Sequence, residues 1–254
     1  MNRTPPADVQ RVLREETGFL CAIKGCKIPY LEYHHFDPPW HIKNHHDPKG
    51  MIALCPSHHK KADANVFTKE ELISYKANKK GEIQALKADF EYLRQKILLK
   101  SGNNLFYNNR EGEIRIDGVL EIWFNTDSEG YKRLNIQVLN LEQEVRFKIT
   151  DNVWESKRDI RDVRCPPNGK QLDIYLDKNE YVKVRFKDVT SENDLQKNLN
   201  KNINFFKNEL PFTILEVYTK LNNSAIHITK SKVKINELEI KDSFFSENRY
   251  GINL

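Results

Sequence analysis

The 43 residues from Cys21 to Asp63 hold three of the chain's four cysteines and seven of its eight histidines. Only Cys165 and His227 lie in the other 211 residues. Core histidines scattered by chance would not crowd in this way. Cys21 and Cys26 form a C-x4-C pair, and Cys55 and His58 form a C-x2-H pair 28 residues further on. Two close-spaced pairs joined by a loop are what a tetrahedral sulfur and nitrogen cage around zinc requires. Thiolate and imidazole donors suit Zn²⁺ over Mg²⁺ or Ca²⁺. The fourth ligand of such a cage is His58, with its neighbour His59 as the alternative.

The remaining histidines suggest a second centre. His34 and His35 are adjacent in a segment that reads as a strand, so they point to opposite faces. One can take a metal while the other meets a water. If a helix starts near Pro56, His59 and Asp63 are four residues apart on one face and present two ligands together. A short strand over Met51–Leu54 and a helix from Pro56 to about Ala64 complete a β-β-α unit.

The runs Leu31-Glu32-Tyr33-His34-His35-Phe36-Asp37-Pro38-Pro39-Trp40 and Asp47-Pro48-Lys49-Gly50-Met51-Ile52-Ala53-Leu54-Cys55-Pro56-Ser57-His58-His59 resemble the HNH endonucleases, the zinc-bound branch of the ββα-metal nucleases. The resemblance covers roughly residues 7 to 75. It implies a structural zinc on Cys21, Cys26, Cys55 and His58, and a catalytic Mg²⁺ or Mn²⁺ on His34 and His59, with Asp63 as a further ligand. His35 is implied as the general base of a metal-dependent DNA endonuclease. Gly50 stands where the family's motif has Asn, and Asn44, His45 and His46 are the nearby candidates for its bracing contact. The alternative reading is a zinc-stapled nucleic-acid-binding module without turnover.

Charge agrees with a polyanionic partner. Residues 1–100 carry 17 Lys and Arg against 12 Asp and Glu, whereas residues 101–254 carry 24 of each, so the whole excess of +5 lies with the histidine-rich part. Trp40, Lys60 and Lys61 are candidate contacts to a base or phosphate, as are Arg3, Arg11 and Arg14. No apolar run approaches 18 residues and Met1-Asn2-Arg3-Thr4-Pro5-Pro6 has no apolar h-region, so neither a membrane span nor a signal peptide is expected. With metal-type cysteines, that composition predicts a cytoplasmic protein.

The rest of the chain predicts an α+β fold in three parts. Residues 1–78 form the zinc-stapled ββα-metal unit, opened by a helix over 8–17 with Asp8 as N-cap. Thr68-Lys69-Glu70-Glu71 reads as a capping box that starts a helix through Lys76. Residues 79–102 predict a helical connector, with Ile83, Leu86, Phe90, Leu93 and Ile97 at three- and four-residue steps; it is also a candidate homodimer contact. Residues 103–254 predict a β-rich, sandwich- or barrel-like domain, interrupted by a helix over 192–209 with Leu195, Leu199, Ile203 and Phe206 on one side. That domain carries no catalytic motif, and Cys165 and His227 are expected to be structural. It is assigned to recognition, to sensing an activating ligand or to docking a protein partner, as in a restriction or antiphage effector.

Overall fold

The computed structural model describes residues 2–77, 86–116, 118–156, 160–199 and 201–254. The fold is mixed α+β and mostly strand. Helix α1 (Ala7–Glu16) begins one residue before the predicted start. Pro6 takes the N-cap place and Asp8 sits in the first turn, where its charge suits the helix dipole. Strands β1 (Glu32–His35) and β2 (Met51–Leu54) pair antiparallel, with His34 opposite Ile52 and His35 opposite Met51. Helix α2 (Pro56–Asp63) follows at once, with Pro56 in its first turn. All four residues of β2 are fully buried, with α1 and α2 both packed against the strand.

Helix α3 (Lys69–Ala77) starts at the predicted capping box. The Thr68 amide donates to Glu71 Oε2 at 2.8 Å, and the Glu71 amide donates to Thr68 Oγ1 at 3.1 Å. Lys76 then ties α3 back to the unit: its ammonium meets Glu16 at 2.5 Å and donates to the carbonyls of Pro48 at 2.7 Å and Met51 at 2.9 Å. The small core beneath these helices joins Leu13, Leu31, Phe36, Leu54 and Leu72 to Cys21 and Cys55.

The predicted connector is corrected by the structure. Residues 78–85, including Ile83, lie outside the described residues, but Leu86, Phe90 and Ile97 do not form a helical stripe. Leu86–Asp89 is strand β3 and Ile97–Ser101 is strand β4. Spacings of three and four also occur when two short strands are separated by an irregular stretch. Here pairing of β3 with a later strand, through Leu86 and Ser156, wins over local periodicity.

The strands that follow are β5 (Asn104–Tyr107), β6 (Gly112–Ile116), β7 (Leu120–Thr126), β8 (Lys132–Leu139), β9 (Val145–Thr150), β10 (Val153–Ser156), β11 (Asp162–Arg164), β12 (Gln171–Tyr175) and β13 (Tyr181–Val189). After α4 (Glu192–Asn198) and α5 (Ile203–Lys207) come β14 (Phe212–Leu221), β15 (Ile226–Ile228), β16 (Val233–Ile235), β17 (Leu238–Ile240), β18 (Phe244–Ser246) and β19 (Tyr250–Asn253). One sheet runs β19-β6-β7-β8-β9-β10-β3. The other runs β11-β12-β13-β14-β15-β16-β17, with β4 parallel to β14 and leading on through β5 to β18. Alternate residues of both sheets fill one shared core, among them Ile122, Ile136, Phe147 and Trp154 from the first and Ile174, Val184, Leu215 and Val217 from the second.

The helix predicted over 192–209 is two helices. Leu199 is extended at φ −122°, and Asn202 takes left-handed backbone at φ 56° before α5. Leu195, Leu199 and Phe206 still bury together, against Leu98, Val189 and Ile214 on the second sheet's other face. The hydrophobic spacing therefore marks the buried face but not the break in the helix.

The histidine-rich unit docks on β11, an edge strand of the second sheet. Arg14 of α1 donates to Asp162 at 2.9 and 2.7 Å and to the Tyr33 hydroxyl at 2.7 Å. Arg14 is 4% exposed and Asp162 6%, so this fork is a buried ion pair. The Leu31 amide donates to the Cys165 carbonyl at 3.2 Å, and Phe19 inserts into the shared core. Cys165 itself is buried at this joint, and burial pushes its thiol well above the ordinary range.

Candidate metal centre

The first cluster is the one the paired spacing predicts. Cys21 and Cys26 come from the loop between α1 and β1, Cys55 caps α2, and His58 lies in the first turn of α2. One ligand atom from each of the four lies within 4.8 Å of every other. His58 Nδ1 stands 3.3 Å from Cys21 Sγ and 3.2 Å from Cys55 Sγ, and the sulfurs of Cys26 and Cys55 are 4.0 Å apart. A tetrahedral zinc with ordinary bond lengths sets edges of about 3.6 Å for S···N and about 3.8 Å for S···S. A disulfide would bring its sulfurs to about 2.05 Å. The donor set and its spacing therefore fit a metal such as zinc. Burial pushes the Cys21 thiol up to about 12, a cost that a bound cation offsets by stabilising the thiolate. Of the two candidates for fourth ligand, His58 is in the cage and His59 is not.

His59 belongs to a second cluster with His34 and Asp63, again with one ligand atom from each within 4.8 Å of the others. Strand β1 supplies His34, and α2 supplies His59 and Asp63 one turn apart, as the i, i+4 spacing predicts. Asp63 stands 3.3 Å from His34 Nδ1 and 3.4 Å from His59 Nδ1. Burial, then the neighbouring His59, lower the His34 pKa, which keeps the ring neutral and able to act as a ligand. Two imidazoles and a carboxylate make a donor set that accepts divalent metals and leaves positions for water and substrate.

Glu32 joins this group although the sequence argument passes over it. It stands two residues before His34, on the same face of β1, and its carboxylate is 3.2 Å from His59 Nδ1. That period-two relation is the signal by which it can be found. Glu32 and Asp63 both approach the same nitrogen, His59 Nδ1, and so hold that edge of the ring in place together.

His35 points the other way, as alternation along β1 requires. It is 3% exposed, and its ring packs on Trp40 at 4.7 Å and edge-on to His45 at 5.2 Å. Neither ring nitrogen has a hydrogen-bond partner at bonding geometry. A buried polar group left without a partner costs about 1–3 kcal/mol, so its retention calls for a reason beyond packing. Burial and then His45 push the His35 pKa down to about 4, so the ring is neutral near pH 7, with one nitrogen protonated and the other bare as a neutral imidazole requires. His34, His35, Trp40, Asp63, Arg3 and Lys69 all line a cleft of about 340 Å³. Lys60 and Lys61 lie on the exposed side of α2, outside that cleft.

Gly50 is enforced by its neighbours. A Cβ there would fall 1.8 Å from the Asp37 carbonyl oxygen and 2.9 Å from His45 Cε1. The close approach serves two bonds, since the Phe36 and Asp37 amides both donate to the Gly50 carbonyl, at 2.9 and 3.1 Å. The Asp37 carbonyl thus fills the space into which a side chain at position 50 would project, with the edge of the His45 ring beside it. His45 Nε2 lies 2.9 Å from the Pro38 carbonyl, and the Asp47 amide donates to His45 Nδ1 at 3.1 Å. Of the candidates for the bracing contact, His45 holds the loop and touches His35 edge-on. His46 stacks on Trp40, and Asn44 bonds the Trp40 carbonyl.

Comparison of the chain with protein-family models, with curated proteins and with solved structures found no match. No helix among the described residues is long and apolar enough to cross a membrane.

Proposed function

We propose that the histidine-rich unit is an HNH-type endonuclease that hydrolyses DNA phosphodiester bonds. The observation that carries this reading is the sorting of ligands on one β-β-α unit. Cys21, Cys26, Cys55 and His58 form one closed cluster, while His34, His59 and Asp63 form another that opens on the cleft holding His35.

Cys21, Cys26, Cys55 and His58 would hold a structural zinc that joins the two pairs of ligands and takes no part in the chemistry. His34, His59 and Asp63 would hold a divalent cation, Mg²⁺ or Mn²⁺, which would supply positive charge to offset that developing on the phosphate and on the leaving 3′ oxygen. His35 takes a proton from water on the cleft side, and the resulting hydroxide attacks phosphorus in line. Trp40 and the His45 brace fix the plane of the His35 ring, so the proton acceptor is already oriented when DNA arrives. Arg3 and Lys69, at the cleft wall, meet the phosphate backbone. The contact of His45, itself tied to the Pro38 carbonyl and the Asp47 amide, with the His35 ring supports turnover over the binding-module reading, since it offers a brace for His35 from outside position 50.

The test is supercoiled-plasmid cleavage by the full chain with Mg²⁺, Mn²⁺ or EDTA. Wild type should cleave only with divalent metal, and His35→Ala should cleave at least about 100-fold more slowly while keeping its zinc. Cleavage by His35→Ala at the wild-type rate would remove the assigned base. Folded, zinc-loaded wild type that binds DNA without cutting under any metal would favour the binding module.

A further inference from the structure

A second cleft, of about 420 Å³, lies where α1 meets β11 at the docking joint. Its lining includes the five cations Arg11, Arg14, Arg161, Arg164 and Lys178 against only two carboxylates, Asp8 and Asp162. The innermost pair is already satisfied: Arg14 spends its donors on Asp162 and Tyr33. Arg11 leans on Glu15 at 3.6 Å. Arg161, Arg164 and Lys178 are exposed and pair with no carboxylate among the described residues. All three come from the part of the chain whose charges balance overall, so their gathering here is local and not a consequence of composition.

Like charges around a concave surface repel one another, and that repulsion is relieved when an anion enters. Phosphate suits arginine in particular, because the guanidinium fork matches its oxygens two at a time. The cleft's volume falls in the range of small-molecule sites, and the half-buried ring of Tyr175 supplies a flat wall for a ring system. A duplex is convex and would reach the exposed rim while leaving the floor at Arg14 and Asp162 untouched. Arg164 stands close enough to Tyr33 to act on its hydroxyl electrostatically, while none of the histidine cluster lines this cleft.

We infer that this cleft binds a compact phosphate-bearing ligand of nucleotide size, held by Arg161, Arg164 and Lys178. The proposal does not depend on the nuclease reading, because its readout is binding. Titration calorimetry with the zinc-loaded full chain would use pyrophosphate, ATP, adenosine and a 12-base-pair DNA duplex as probes. The expected result is that ATP or pyrophosphate binds and adenosine does not. The Arg161→Ala/Arg164→Ala double variant should lose at least tenfold in affinity while melting with wild type, since both side chains are exposed. His59→Ala should bind as wild type, which places the ligand away from the histidine cluster. Equal ATP affinity in the double variant, no binding of either phosphate probe, or a defect confined to the duplex would each overturn the assignment; the last would make the cleft part of a DNA track.

Discussion

The two halves of this molecule are held together by different physics. The first 77 residues bury a small core of about a dozen side chains, two of them cysteines of the metal cluster. The two-sheet part buries a core nearly three times as large, built almost wholly from alternating aliphatic and aromatic side chains. A core as small as the first rarely stabilises a unit by more than about 3–5 kcal/mol, which is the setting in which a metal on the Cys21, Cys26, Cys55 and His58 cluster would add most. The same difference places the chemistry. Both clusters of potential metal ligands lie with the small core, whereas the larger core, among the described residues, holds a single thiol, Cys165, and no histidine.

The contrast is broken or sharpened most strongly by Cys55→Ser. Structural zinc in small domains is worth roughly 10 kcal/mol or more. The variant should lose its zinc by elemental analysis and lose the α1–α3 region's protection from hydrogen exchange, while the two-sheet core still melts cooperatively. A single, equally shifted transition for the whole chain would mean that the halves share one source of stability.

Arg14→Ala tests the joint between them. It leaves Asp162 buried without its partner, which typically costs about 3–5 kcal/mol. Urea unfolding should show that loss, and Arg14→Met with Asp162→Leu should recover most of it. A loss near zero would show that the halves are tethered and little more.

Glu113 probes the larger core alone. Burial raises its carboxyl from an ordinary 4.5 to about 7, against the lowering effect of Asn109. A folded pKa above the unfolded one gives stability that is complete below about pH 4.5 and is lost as the pH rises through 7. The shift corresponds to roughly 3 kcal/mol. Wild type should therefore melt several degrees lower at pH 8 than at pH 5, and Glu113→Gln should flatten that slope. The smallest effect is expected from Thr68→Ala, which removes one side of the capping box and costs about 1 kcal/mol, seen as faster amide exchange in α3 alone.

The sequence made the first half legible because its constraints are chemical and local. The C-x4-C and C-x2-H pairs, the i, i+4 step from His59 to Asp63 and the Thr68–Glu71 box each define geometry within a turn or two. Glu32 was readable by the same alternation that separates His34 from His35. The place of His45 was not, because it depends on a carbonyl of the opposing segment closing on Gly50. In the second half the alternating runs mark most strands, but no local rule tells Leu86 or Ile97 which distant strand it will pair with. The parallel pairings of β4 with β14, β18 with β5 and β19 with β6 are long-range choices of the same kind. The Arg14–Asp162 pair spans 148 residues, and no spacing rule reaches that far.

The central claim is that neighbouring histidines of α2 serve two different metals, His58 a structural one and His59 a catalytic one. The most direct test measures zinc content and plasmid cleavage on the same preparation of His59→Ala. The expected result is one zinc per chain, a wild-type melting profile and no metal-dependent cleavage. Loss of zinc together with the fold, or cleavage at the wild-type rate with zinc retained, would contradict it.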